Sequence, residues 1–164
     1  MNKENNLYYL AGFFDGEGTI LITRRYRKKL RGAKLYLSCR VVNTNKTVID
    51  EFNKQWSGNL YEKKTEQDNH QQTYTWSRGA LKAEEFLREI IPYIRQKKAE
   101  ALVAIEFRER QKTLFNEMRH RPRKGQEIRN AYTEDDLKEL LTYRTKLLSL
   151  RGAAINRRIR DEKA

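Results

Sequence analysis

Residues 7–18 read LYYLAGFFDGEG. Leu7, Leu10, Ala11 and Phe14 recur at helical spacing, and Gly16 and Gly18 are the stop signals. The run closes on two acids, Asp15 and Glu17, each followed by a glycine. A helix C-terminus already carries partial negative charge from its unpaired carbonyls, so carboxylates there are disfavoured unless something positive meets them.

The chain around this stretch is basic. Over 164 residues, Lys and Arg number 35 against 22 Asp and Glu, with a pI near 9.9. The length predicts one domain, residues 1–164, or at most two very small ones, and the charge points to a polyanionic partner, nucleic acid first. A single cysteine, Cys39, rules out an internal disulfide framework or thiolate zinc site and fits a reducing compartment. No apolar stretch approaches the roughly 20 residues that span a membrane, and the polar start MNKENN does not read as a signal peptide. The expectation is a soluble, intracellular protein of an organelle or bacterial cytoplasm. His70 and His120 lack metal-ligand spacing and are expected at the surface.

Downstream of the glycines, residues 20–30 and 34–44 read as a long hairpin with a basic tip at residues 27–31. In its second strand Leu35, Leu37, Cys39 and Val41 alternate with Tyr36, Ser38, Arg40 and Val42, the pattern of a half-buried strand. Residues 46–56 resume helical spacing through Val48, Ile49, Phe52 and Trp56. A second strand pair follows at residues 60–65 and 72–77, around a polar loop at 66–71. Residues 81–91 are helical and closed by Pro92. Another helix is expected over 99–115, with Ala99, Leu102, Val103 and Ala104 to Phe107 as apolar positions. Residues 119–130 are a basic connection. Thr133 and Asp136 predict a capping box for a last helix, buried through Leu137, Leu140, Leu141, Leu147 and Leu148. The order α-β-β-α-β-β-α occupies about residues 7–115, with a helical extension over about 116–155: an α+β fold on an antiparallel sheet.

The outward strand faces hold Thr23, Arg25, Arg27, Tyr36, Ser38, Arg40, Tyr61, Lys63, Thr73 and Thr75. Cations mixed with hydroxyl and phenol groups are what phosphate and base-edge recognition uses, and a concave basic sheet fits a major groove. A strand of about ten residues spans roughly 33 Å, the rise of about ten base pairs.

Ala11 and Gly12 are small enough for a second helix to approach closely, and Leu10, Ala11, Phe14 and Asp15 are assigned to such a contact between two copies. The two C-termini would then converge and bring both Glu17 carboxylates together. Hard divalent cations, bound by carboxylate and carbonyl oxygen, relieve that repulsion and can activate water for phosphodiester hydrolysis.

The stretch LAGFFDGEG, residues 10–18, resembles the signature of the LAGLIDADG homing endonucleases: Leu10, Ala11, Gly12, Asp15, Gly16 and Gly18 match, and Glu17 stands where that family has its second, metal-binding acid. The resemblance implies an αββαββα core and, because the signature occurs once, an intron-encoded homodimer. Such a dimer would hydrolyse both strands of a near-palindromic double-stranded DNA site of about twenty base pairs, ten per sheet. It implies Mg2+ as cofactor, with Mn2+ or Ca2+ able to substitute for binding, Glu17 and the Gly16 carbonyl as metal ligands, and Asp15 bonded to backbone at the dimer contact. Asn45, just before Lys46-Thr47, matches the residue that positions the nucleophilic water, with Asn where Gln is familiar. Ile49 stands where some relatives carry a basic residue. Lys97, after Pro92, matches a basic residue near the scissile phosphate. An RNA maturase, or an inactive sequence-specific DNA-binding protein, are the alternatives of the same fold, and the intact Glu17 favours the endonuclease.

Overall fold

Strict alternation of apolar and polar residues builds the sheet on which the rest of the chain packs. The computed structural model describes residues 3–27, 32–63, 71–120 and 132–161, and the side chains of 6–25, 34–63, 71–119 and 132–151. The elements run α1 (Lys3–Glu17), β1 (Thr19–Arg27), β2 (Gly32–Asn43), α2 (Lys46–Gln55), β3 (Asn59–Lys63), β4 (Thr73–Gly79), α3 (Ala80–Ile90), α4 (Lys98–His120) and α5 (Glu134–Asp161). The four strands form one antiparallel sheet in the order β1-β2-β4-β3. The architecture is the expected α+β arrangement. Most of the expected basic tip at 27–31, most of the loop at 66–71, most of the connection at 119–130 and the two histidine side chains lie outside the described residues.

One sheet face is the core. Ile20, Ile22, Leu35, Leu37, Cys39, Val41 and Trp76 all point into it and are buried. Burial pushes the Cys39 thiol far above its ordinary pKa, so it is an inert core residue. Aromatic rings from three helices meet Trp76: Phe52 of α2 at 5.1 Å, Phe86 of α3 at 5.1 Å, and Phe14 of α1 through Phe86 at 4.8 Å. Full burial of each ring contributes about 2–3 kcal/mol.

Gly18 ends α1 because nothing larger fits. Its N–H donates to the Phe14 carbonyl at 2.8 Å, and a Cβ there would lie 2.3 Å from the Phe14 ring and 2.5 Å from its carbonyl oxygen. Phe14 is fully buried and has nowhere to move. Gly18→Ala is therefore expected to destabilise the fold by about 1–3 kcal/mol, read as a lower denaturant midpoint at unchanged slope.

The last two helices belong to the same core. α4 continues to His120, beyond the expected 115, and α5 supplies buried Leu140 and Leu147. Three ion pairs register the two helices antiparallel: Glu100 with Arg151 at 3.0 Å, Glu106 with Lys146 at 3.5 Å, and Arg110 with Glu139. The capping box is present, with the Thr133 N–H on the Asp136 carboxylate at 2.8 Å and the Asp136 N–H on the Thr133 hydroxyl at 3.1 Å. Two expected core leucines face outward: Leu102 and Leu148, at 47% and 44% exposure, lie beyond the edge of their helices' buried stripes.

Candidate metal centre and nucleic-acid interface

The acid at the end of α1 meets the start of another helix. The Asp15 carboxylate accepts the backbone N–H groups of Arg95, Gln96 and Lys97 at 2.8, 2.9 and 2.8 Å, in the turn that opens α4. It thus sits where helix N–H groups are unpaired and the helix dipole is positive. Burial alone would raise this carboxyl's pKa, but the three N–H groups and the nearby Lys97 charge outweigh it and hold the group below the ordinary carboxylate value.

The return half of the clamp is Lys97. Its ammonium donates to the carbonyl oxygens of Asp15 and Gly16, the latter at 3.1 Å. Two opposite helix ends are therefore tied reciprocally, carboxylate to N–H and ammonium to carbonyl. The structure brings Gly16 and Lys97 into contact across 81 residues of sequence.

Glu17, the last residue of α1, is exposed and has no hydrogen-bond or ion-pair partner among the described residues. With the Gly16 carbonyl, which accepts the Lys97 ammonium through one of its two lone pairs, it offers hard oxygen donors. This donor set fits a hard divalent cation. Among the described residues, no group of three or more His, Cys, Asp or Glu is placed to hold a metal.

Asn45 stands at the same end of the sheet. β1 begins two residues after Glu17, β2 ends two residues before Asn45, and Thr19 pairs with Arg40. Asn45 is the N-cap of α2, its carbonyl oxygen accepting the Thr47 N–H at 3.0 Å. What it can offer outward is its amide N–H2. Lys46 is occupied by Asp50 at 2.7 Å, and Ile49 is buried beneath α2.

The strand register assembles the opposite face of the sheet. Thr23 pairs with Tyr36, Leu21 with Ser38, Arg25 with Lys34, Arg40 with Ser77, Tyr61 with Thr75, and Lys63 with Thr73. Paired residues share a face, and all of these lie opposite the buried Ile20, Leu37, Val41 and Trp76. The Arg25 guanidinium lies 5.5 Å from the centroid of the Tyr36 ring, a cation–π contact that orients it. Arg27 is in β1, on the same parity, with its side chain outside the described set.

The expected dimer contact needs correction. Leu10, Ala11 and Phe14 are 0% exposed within one chain, so they have no surface left for a second copy. They face the chain's own core because the large apolar residues wrap nearly all of α1 and the sheet takes one side. The side left open carries Tyr8, Tyr9, Gly12 and Gly16, with open space where a Cβ would stand on either glycine. Asp15 does bond backbone, as expected, but the backbone of its own chain.

No family model and no curated protein sequence matches the chain. Solved structures do. The homing endonuclease I-CvuI in complex with its target aligns at a TM-score of 0.65 and 16% identity, covering 90% of this chain and 83% of that one. The archaeal intron-encoded homing endonuclease I-Vdi141I, complexed with DNA, aligns at 0.67 and 17% identity over 91% and 86% of the two chains. The LAGLIDADG homing endonuclease I-GzeII, in complex with its DNA target, aligns at 0.60 and 15% identity over 84% of this chain but 43% of its own. The fold is that of the LAGLIDADG homing endonucleases. Within that LAGLIDADG fold, this chain spans less than half the length of I-GzeII and most of the length of I-CvuI. None of its described helices is long and apolar enough to cross a membrane.

Proposed function

We propose that this chain is a site-specific, divalent-metal-dependent endonuclease that acts on double-stranded DNA as a homodimer. The observation that carries this reading is the placement of Glu17 and Gly16 at one end of a sheet whose outer face gathers Arg25, Lys34, Tyr36, Ser38, Arg40 and Lys63. The likeness to structures solved with DNA, one of them in the presence of Ca and another of Mg, supports the same reading.

The cations on the outer face neutralise phosphates and fix the duplex along the strands, while hydroxyl and phenol groups reach base edges. Glu17 and the Gly16 carbonyl would hold the divalent cation, which supplies Lewis acidity at the phosphate and lowers the pKa of water. Asn45, its carbonyl already bonded to Thr47, presents amide N–H2 donors that orient the attacking water. Lys97 stabilises charge developing on the phosphate. Lys97→Met is expected to slow single-turnover cleavage about a hundredfold, with target binding nearly unchanged.

Among the described residues one chain offers a single such acid, so a double-strand cut calls for two copies. The open side of α1, with Tyr8, Gly12 and Gly16 successively one turn apart, is the surface on which they would pair. The test is incubation of purified protein and Mg2+ with a randomised double-stranded DNA library, followed by sequencing of cut ends. Cutting at one near-palindromic site of about twenty base pairs is the expected result. Selective binding without cutting would replace the reading with a DNA-binding regulator, and absence of DNA selectivity would redirect it to RNA.

A further inference from the structure

Outer-face residues of β2 alternate through Lys34, Tyr36, Ser38, Arg40 and Val42, and Val42 is the only one of them without a hydrogen-bonding side-chain atom. It is 43% exposed. The register sets Val42 opposite Thr75 of β4, and Thr75 opposite Tyr61 of β3, itself 61% exposed. With neighbouring strands about 4.8 Å apart, these three side chains make a ledge roughly 10 Å across, which fits within the roughly 12 Å width of a major groove. Polar rows flank it on both sides: Arg40, Ser77 and Asn59 on one, Lys63 and Thr73 on the other. Leu21, the other apolar residue among these outward positions, is half-buried beside Ser38 and presents less surface.

We infer that this ledge, centred on Val42, selects thymine at an inner position of the half-site by packing against its 5-methyl group. The inference rests on the endonuclease reading above. The thymine methyl is the one apolar feature that base edges present in the major groove. Against Val42 a cytosine would leave a gap and strip water from its amino group, and a purine would bury its N7 acceptor without a donor, so each is disfavoured. The position is inner because Val42 lies two residues beyond Arg40, the partner of Thr19 where β1 starts, toward the sheet end that bears Glu17. The Lys34 end of the same strand lies about 27 Å away, eight residues along.

The experiment takes the site recovered from the library and replaces its thymines one at a time with deoxyuridine. This removes the methyl group and keeps every base-pairing atom. Equilibrium binding in Ca2+ is measured for the wild type and for Val42→Ser, which removes both methyl groups from an exposed position. The expected result is a loss of about fourfold, the worth of one buried methyl, at a single thymine in the inner half of the half-site, and no such loss for Val42→Ser. A selected site without an inner thymine would overturn the inference and leave the endonuclease standing, as would wild-type binding unmoved by every deoxyuridine. An inner loss that Val42→Ser retains in full would also overturn the assignment to Val42. If the library yields no selective site at all, the endonuclease reading fails and this inference with it.

Discussion

Replacing Glu17 by Gln lowers DNA cleavage by about a thousandfold or more, while target binding stays within a few-fold of wild type or tightens. Three features of the structure lead to this expectation. Glu17 is exposed at the end of α1 with no partner among the described residues, so the substitution removes no packing or ion pair and stability stays within about 0.5 kcal/mol. Its charge is the one carboxylate at this helix end that is not spent on backbone N–H groups, Asp15 being fully engaged. A negative side chain next to the proposed DNA-binding face also opposes DNA until a cation screens it, so the neutral amide relieves repulsion even as it loses metal affinity. Single-turnover cleavage in Mg2+ and gel-shift binding in Ca2+ separate the two effects. Cleavage by the variant within tenfold of wild type would mean that the metal acid lies elsewhere.

Asp15→Ala has the larger effect on the fold. It leaves the N–H groups of Arg95, Gln96 and Lys97 without their carboxylate and removes the charge that faces Lys97, for an expected loss of about 2–3 kcal/mol in denaturant unfolding. Cleavage should fall as well, because Lys97 and the Gly16 carbonyl are held by the same clamp. The pH dependence has a definite sign. Asp15 is depressed below its ordinary 3.8 in the folded chain, so its contribution is present above the unfolded value and is lost as pH falls through the folded one. Glu84 and Glu139 are depressed too: Glu84 by Lys112 and Arg88, which outweigh its burial, and Glu139 chiefly by Arg110. Wild-type stability should therefore decline on acidification below about pH 4, and Asp15→Asn should decline less steeply, with the other two acids still contributing. An identical acid slope in Asp15→Asn would contradict the clamp.

The sheet was legible in the sequence because its code is binary: Leu35, Leu37, Cys39 and Val41 against Tyr36, Ser38 and Arg40 admits only one assignment of faces. The Thr133–Asp136 box was legible because both partners lie within one turn. The buried side of α1 was not. Leu7, Tyr8, Tyr9, Leu10, Ala11, Phe13 and Phe14 make that helix apolar almost all round, so periodicity cannot say which side the sheet takes, and only packing decides that Leu10, Ala11 and Phe14 go inward. Which backbone Asp15 bonds was hidden for another reason. Its partners lie 80 to 82 residues away and are backbone groups, which leave no mark in side-chain patterns. The same holds for Gln111, buried on α4, whose amide donates to the Leu35 carbonyl at 2.9 Å and ties that helix to β2.

The alternation along β2 also divides inheritance into two ledgers. Leu35, Leu37, Cys39 and Val41 answer to burial, and a change at any of them disturbs the core. Tyr36, Ser38, Arg40 and Val42 point the other way, and a change there falls outside the set of fully buried residues. On the proposed reading, a descendant of this chain drifts to a new genomic address one outward residue at a time, each step judged on the sequence it reads and hardly at all on whether the protein still folds. The same separation makes the outward positions of β2 and β4 the natural place to begin retargeting by design.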